Sequence, residues 1–95
     1  MNGDFDQIHN HHESQVRAAV SARASQYPHL ATEELLADIA CVALNRLPPR
    51  YIRHTVDFAF YLTDKERGEN EAAIAEAVDS AFTFVQARVA MRARK

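Results

Sequence analysis

The sequence predicts a mainly α-helical (α+β) domain, with three to four helices and one short strand that pairs across a homodimer. Two observations favour helices: alanine supplies much of the 47% hydrophobic content, and the 95 residues include only two glycines and three prolines. Alanine has the highest helix propensity, whereas a turn-rich all-β fold uses more glycine and proline. A third observation, one stretch in which apolar and other residues alternate after residue 55, predicts the strand.

The length of the chain is that of one domain. Residues 1–8 have no periodic pattern, and we interpret them as a flexible leader before a single domain over residues 9–95. The net charge of -2 argues against a broad nucleic-acid surface. No apolar run approaches the roughly 18 residues that cross a bilayer, and the acidic N-terminus does not resemble a secretory signal. We therefore expect a cytoplasmic protein without membrane or nucleic-acid partners.

The first two helices follow from caps and prolines. The first is expected to start near Asn10, a good N-cap residue, and to end at Tyr27–Pro28, because a residue before proline disfavours the helical conformation. The second begins after Thr32 and ends at Pro48–Pro49. Cys41 lies within its apolar run and is expected to be a buried, inert thiol. The apolar stripe of this helix comprises Leu36, Ile39, Ala40, Ala43, Leu44 and Leu47.

The strand and the last helix follow the prolines. Residues 56–62 alternate with period two, which predicts a strand. No second convincing strand is found, so its edges would pair across the two-fold axis of a homodimer. Thr63 and Glu66 have the spacing of a capping box that opens the last helix. Its buried positions are expected at Ile74, Val78, Ala81, Phe82, Val85 and Val89.

No catalytic or metal motif stands out. His9, His11 and His12 resemble metal ligands, but a zinc site needs further well-placed ligands, and the chain has one cysteine. We expect these histidines to be exposed and polar, and we expect no metal and no cofactor. No serine or cysteine nucleophile is placed beside a histidine and a carboxylate by any recognisable motif, so we expect no enzymatic activity.

A cluster of arginines surrounds the prolines and is the strongest functional signal. Guanidinium groups match phosphate oxygens bidentately, a tyrosine face can stack on a base, and amide or carboxylate groups can orient one. The candidate ligand-binding residues are Asp38, Asn45, Arg46, Arg50, Tyr51 and Arg53. In the alternative interpretation, the arginines pair with acidic residues of the last helix, such as Glu66, Glu69 or Glu71.

The segment DIACVALNRLPPRY, Asp38–Tyr51, closely resembles the signature of the ComFB family, the late competence development proteins. Asn10–Val16 is similar to the first-helix motif of that family, and Val56–Arg67 is similar to its strand and following helix start. The resemblance implies a small, mainly helical, dimeric cytoplasmic protein. Some members bind zinc through cysteines just before the signature, but residues 30–37 contain none, so zinc is not carried over.

The resemblance also implies a function. Related members, in cyanobacteria especially, are receptors for cyclic dinucleotides, cyclic di-GMP in particular. The motif positions carried over as candidates are Asn45, Arg46, Pro49, Arg50 and Tyr51. We therefore expect a non-enzymatic signalling receptor that binds a cyclic dinucleotide, with cyclic di-GMP favoured, and relays its state to an unknown protein partner. The alternative is an interaction or scaffold protein without a small ligand that regulates competence or motility.

Overall fold

The computed structural model describes residue 3, residues 5–54 and residues 62–93. In these residues the chain forms helices α1 (His12–Arg23), α2 (Glu33–Arg46) and α3 (Asp64–Ala93), and strands β1 (His9–Asn10) and β2 (Tyr51–Ile52). Short 3-10 turns occupy Phe5–Gln7, Ala24–Gln26 and Pro28–Leu30. The predicted mainly α-helical class is confirmed.

Helix α2 begins and ends where the sequence predicts. The Thr32 backbone is extended, and its hydroxyl oxygen accepts a hydrogen bond of 3.2 Å from the Leu35 N–H, as an N-cap does. The helix ends at Arg46, and Leu47 is extended with φ -102° and ψ 137°. This ending is the expected one, because Pro48 follows and crowds a helical conformation at the residue before it.

Helix α3 runs without interruption for 30 residues, which corresponds to about 45 Å. The Thr63 hydroxyl accepts a hydrogen bond of 3.1 Å from the Glu66 N–H, which confirms the predicted cap. Gly68 lies inside the helix, and a Cβ built there would meet nothing within 4 Å. Within the described residues, no helix is both long and apolar enough to span a bilayer.

The core lies where the three helices meet. Phe82 of α3 is fully buried and stacks on Tyr27, with 4.5 Å between ring centroids and 17° between ring planes. Its buried neighbours are Val16, Val20, Leu30, Ile39, Ala43, Leu47, Ile74, Ala77, Val78, Ala81 and Val85. Val89 is half-buried against them. The stripe predicted for α3 is therefore its core face.

The two strands pair within the chain. β1 and β2 are antiparallel, with His9 opposite Ile52 and Asn10 opposite Tyr51. A strand of two residues is too short to show alternation of apolar and polar residues, so the sequence did not predict this pair. The predicted strand over 56–62 falls outside the described residues except for Leu62, and its pairing across a homodimer stays a prediction.

Three expectations need correction. Helix α1 ends at Arg23, before the predicted Tyr27, and 3-10 turns complete the connection to α2. The three histidines are not exposed: His9 and His11 are half-buried, and His12, the first residue of α1, is buried with 8% of its surface accessible, because it lies against the segment before β2. Cys41 is exposed rather than buried, since α2 buries Ile39 on its opposite side.

Candidate functional site

The Asn10 side chain joins the start of α1 to the segment Leu47–Arg50, which we call the elbow. Asn10 is buried, and its Oδ1 accepts hydrogen bonds from the N–H groups of His12 at 3.2 Å and Arg50 at 3.1 Å. The first bond satisfies an N–H that the first turn of a helix leaves without an internal partner. The second fixes the backbone of the elbow. The Arg50 carbonyl also accepts a hydrogen bond of 2.7 Å from the His11 N–H.

A groove of about 330 Å³ lies between the elbow and α3, and we call it the elbow groove. Its volume is at the lower end of the roughly 300–1,000 Å³ typical of small-molecule sites. Arg50 brings a positive charge from the elbow, and Glu69 brings a negative charge from α3. The groove is lined by His12, Leu47, Pro48, Pro49, Arg50, Glu69, Asn70 and Ala73.

A smaller cleft of about 190 Å³ adjoins the elbow groove. Half-buried Asn70 lines both spaces. The other residues of this cleft are His11, Gln15, Leu62, Arg67 and Glu71. The two spaces therefore form a polar surface along the first turns of α3, with the start of α1 on its other side.

The two histidines at this surface have lowered pKa values. Burial is the largest cause for His12, followed by the positive charge of Arg50, while a hydrogen bond with the Pro48 backbone acts in the opposite direction. Burial also lowers the pKa of His11, followed by the nearby charges of His12, Arg50 and His9. These shifts favour the neutral form of both imidazoles at pH 7. The His12 Nδ1 atom is buried and has no hydrogen-bond partner within the described residues.

Three of the predicted site residues lie together at the elbow. Arg50 lines the elbow groove. Tyr51 follows it in β2 and is 67% exposed, and Arg53 is exposed just beyond that strand. A guanidinium group and an aromatic face are thus presented on adjacent residues.

The other three lie elsewhere. Asn45 lines an apolar groove of about 540 Å³ between α1 and α2, where its amide lies 3.7 Å from the Cys41 sulfur. Arg46 lines a separate cleft with Asp79 of α3. Asp38 is exposed on α2, about 12 Å along the helix axis from Arg46. The structure does not bring these three residues to the elbow groove.

Sequence reasoning missed the residues that α1 and α3 contribute to the groove. The sequence suggests Glu69 only as an ion-pair partner, and it suggests Asn70 only as an interruption near the start of the last helix, whereas α3 runs through that position unbroken. One signal for Asn70 was available, because asparagine disfavours a helix interior and this one lies half-buried in α3. No sequence pattern places residue 69 beside residue 50, because that proximity depends on how α3 packs against the elbow.

A zinc ion held by cysteines does not fit this chain. Its one cysteine is exposed on α2. Within the described residues, no group of three or more His, Cys, Asp or Glu side chains is arranged to hold a metal ion.

A family model described as late competence development protein ComFB matches residues 9–89. The chain belongs to the ComFB family. The match extends from β1 through most of α3, so every residue that lines the elbow groove lies in the ComFB region. Comparisons of this ComFB chain with curated proteins and with solved structures gave no match.

Proposed function

We propose that this ComFB chain is a non-enzymatic signalling receptor that binds a cyclic dinucleotide, with cyclic di-GMP favoured, and relays its state to a protein partner. The observation that carries the proposal is the elbow groove, which is lined by the cation Arg50 on a fixed backbone, while the next residue along the chain, Tyr51, exposes an aromatic ring. The resemblance of the elbow sequence to ComFB receptors supports the same ligand class.

The elbow holds Arg50 in a fixed position before any ligand arrives. Its N–H donates to Asn10, and its carbonyl accepts from His11. Pro48 and Pro49 fix their own φ angles. A preorganised backbone of this kind lowers the entropic cost of association. The guanidinium group can then donate two parallel hydrogen bonds, either to phosphate oxygens or to the O6/N7 edge of guanine.

Tyr51 supplies the second element of nucleotide recognition. Its side chain is 67% exposed although its backbone is paired in β2. Stacking on such a ring contributes about 1–3 kcal/mol per base. Arg53, exposed beyond the strand, adds a second cation for the phosphates in our proposal.

The size of the groove supports a particular stoichiometry. About 330 Å³ suits one nucleotide unit, whereas a cyclic dinucleotide has two units related by a two-fold axis. Two copies of the chain, each offering one elbow groove, match that symmetry. We therefore propose a homodimer that binds one ligand per two chains, with each copy holding one half.

Calorimetric titration of the purified protein with cyclic di-GMP tests this function, with cyclic di-AMP and GTP as controls. The expected result is micromolar or tighter binding of cyclic di-GMP alone, at one ligand per two chains. Light scattering of the same samples measures whether the chain is a dimer. No binding of any of the three nucleotides contradicts the receptor function.

A second candidate is an interaction protein without a small ligand, and one observation favours it. Arg46 and Asp79 of α3 line the same cleft, so at least one arginine of the cluster lies near an acidic residue of the last helix, although the ion pair of Asp79 is with Arg23. If all the arginines act in this way, all three nucleotides fail to bind, and the Arg50→Ala variant melts well below the wild type.

A further inference from the structure

We infer that Glu69 reads the guanine base in the elbow groove and sets the preference for guanine over other purines. This inference rests on the proposed function and adds the residue that determines base specificity. It comes from the juxtaposition of two opposite charges, Arg50 on the elbow and Glu69 on α3, along one groove.

The Glu69 carboxylate is available to accept hydrogen bonds. The cation described beside it is Lys65, whose Nζ lies 3.9 Å from Oε1 and whose side chain is 86% exposed. Such an i, i+4 surface pair is weak and exchanges readily with solvent. The lowered pKa of His12, also in the groove, favours its neutral form at pH 7, in which it does not neutralise the carboxylate.

The charges on the two walls match the two hydrogen-bonding edges of guanine. Guanine carries the acceptors O6 and N7 on one edge and the donors N1–H and N2–H₂ on another. A guanidinium group on the elbow can donate to the first edge, and a carboxylate on α3 can accept both donors of the second. Arg50 and Glu69 supply these two groups.

Other purines mismatch the same walls. Adenine has an amine donor where guanine has O6, and it has an acceptor at N1, so it would place a donor against Arg50 and a lone pair against Glu69. Mismatched contacts, in which a donor meets a donor or an acceptor meets an acceptor, reject a wrong ligand as effectively as matched contacts select the right one. Hypoxanthine keeps O6, N7 and N1–H and lacks only the N2 amine, so it isolates a single Glu69 contact.

The test compares cyclic di-GMP with cyclic di-inosine monophosphate by calorimetry. In the wild type, losing one hydrogen bond to a charged group weakens binding by roughly ten- to a hundredfold. The ligand loses one such bond in each of two grooves, so removing both N2 amines should weaken binding by roughly a hundred- to ten-thousandfold. In Glu69→Gln the carboxylate is gone, and the difference between the two ligands should shrink to a fewfold. Glu76→Gln is the matched control, because Glu76 is also exposed on α3 and does not line the groove.

The two failures can be separated. If the wild type binds cyclic di-GMP and the ratio between the ligands is the same in Glu69→Gln, Glu69 does not read guanine, although the receptor function stands. If the wild type binds neither ligand, the proposed function fails and this inference fails with it. Circular dichroism of Glu69→Gln should match the wild type, since only a solvent-exposed pair with Lys65 is lost.

Discussion

Replacing Asn10 with alanine should destabilise the fold more than any other change to a polar residue of the elbow region. One oxygen atom, Asn10 Oδ1, accepts the N–H groups of His12 and Arg50. Loss of a side-chain oxygen that accepts an N–H of the first turn of a helix, as a capping side chain does, costs about 0.5–2 kcal/mol. Leaving a second N–H without its partner adds about 1 kcal/mol, the low end of the range, because water can reach the exposed Arg50. Together these terms give a loss of about 1.5–3 kcal/mol.

Two further variants make the measurement specific. Asn10→Asp keeps an acceptor oxygen, and a negative charge is favourable near a helix N-terminus, so it should lose less than about 1 kcal/mol. Asn45→Ala is the matched control, because Asn45 is exposed and its amide contacts only the Cys41 sulfur, at 3.7 Å. Its effect should stay within about 0.5 kcal/mol.

Urea unfolding followed by circular dichroism measures all three free energies. In a thermal scan, the loss in Asn10→Ala corresponds to a decrease in Tm of about 10–20 °C for a domain of this size. The reasoning is refuted if Asn10→Ala unfolds within about 0.5 kcal/mol of the wild type, the scatter expected of an ordinary surface change. It is also refuted if Asn10→Asp is as unstable as Asn10→Ala, because the acceptor oxygen would then not be the stabilising feature.

Three other outcomes are expected. Arg50→Ala should abolish cyclic di-GMP binding in calorimetry and keep a Tm within a few degrees of the wild type. Arg46→Ala, which alters a different cleft, should bind normally. If Arg46→Ala loses binding and Arg50→Ala keeps it, the ligand does not bind in the elbow groove. Phe82→Ala should lower the free energy of unfolding by about 3–5 kcal/mol in urea, because the ring is fully buried, and a loss below 1 kcal/mol would contradict its place in the core. Burial lowers the pKa values of His11 and His12 below 6.5, so the unfolded chain binds more protons than the folded chain as the pH falls below about 6.5. The free energy of unfolding should therefore be lower at pH 5.5 than at pH 7.5, and equal urea midpoints would rule this out.

The helices could be predicted because their signals are local. A threonine cap is recognisable within three residues, as at Thr32 and Thr63, and proline ends α2 whatever surrounds it. The core faces of α2 and α3 follow from helical spacing alone. Such features depend on residues no more than a few turns apart.

The candidate site could be predicted only in part, because it depends on distant contacts. The elbow was recognisable from its own residues, and Arg50 and Tyr51 lie together there. The sequence also placed Asn45 among the ligand-binding candidates, but Asn45 lines the groove between α1 and α2. Glu69 reaches the groove only because α3 packs beside the elbow, and a single sequence does not encode that approach in any short motif.

The shared oxygen of Asn10 has a consequence for communication through the molecule. The first turn of α1 and the elbow depend on the same acceptor, so the order of one is thermodynamically linked to the order of the other. Linkage is reciprocal: whatever holds the elbow in place also stabilises the start of α1, and whatever loosens that turn should destabilise the elbow by the same free energy. Forty residues separate the two ends in sequence, yet they respond as a single unit.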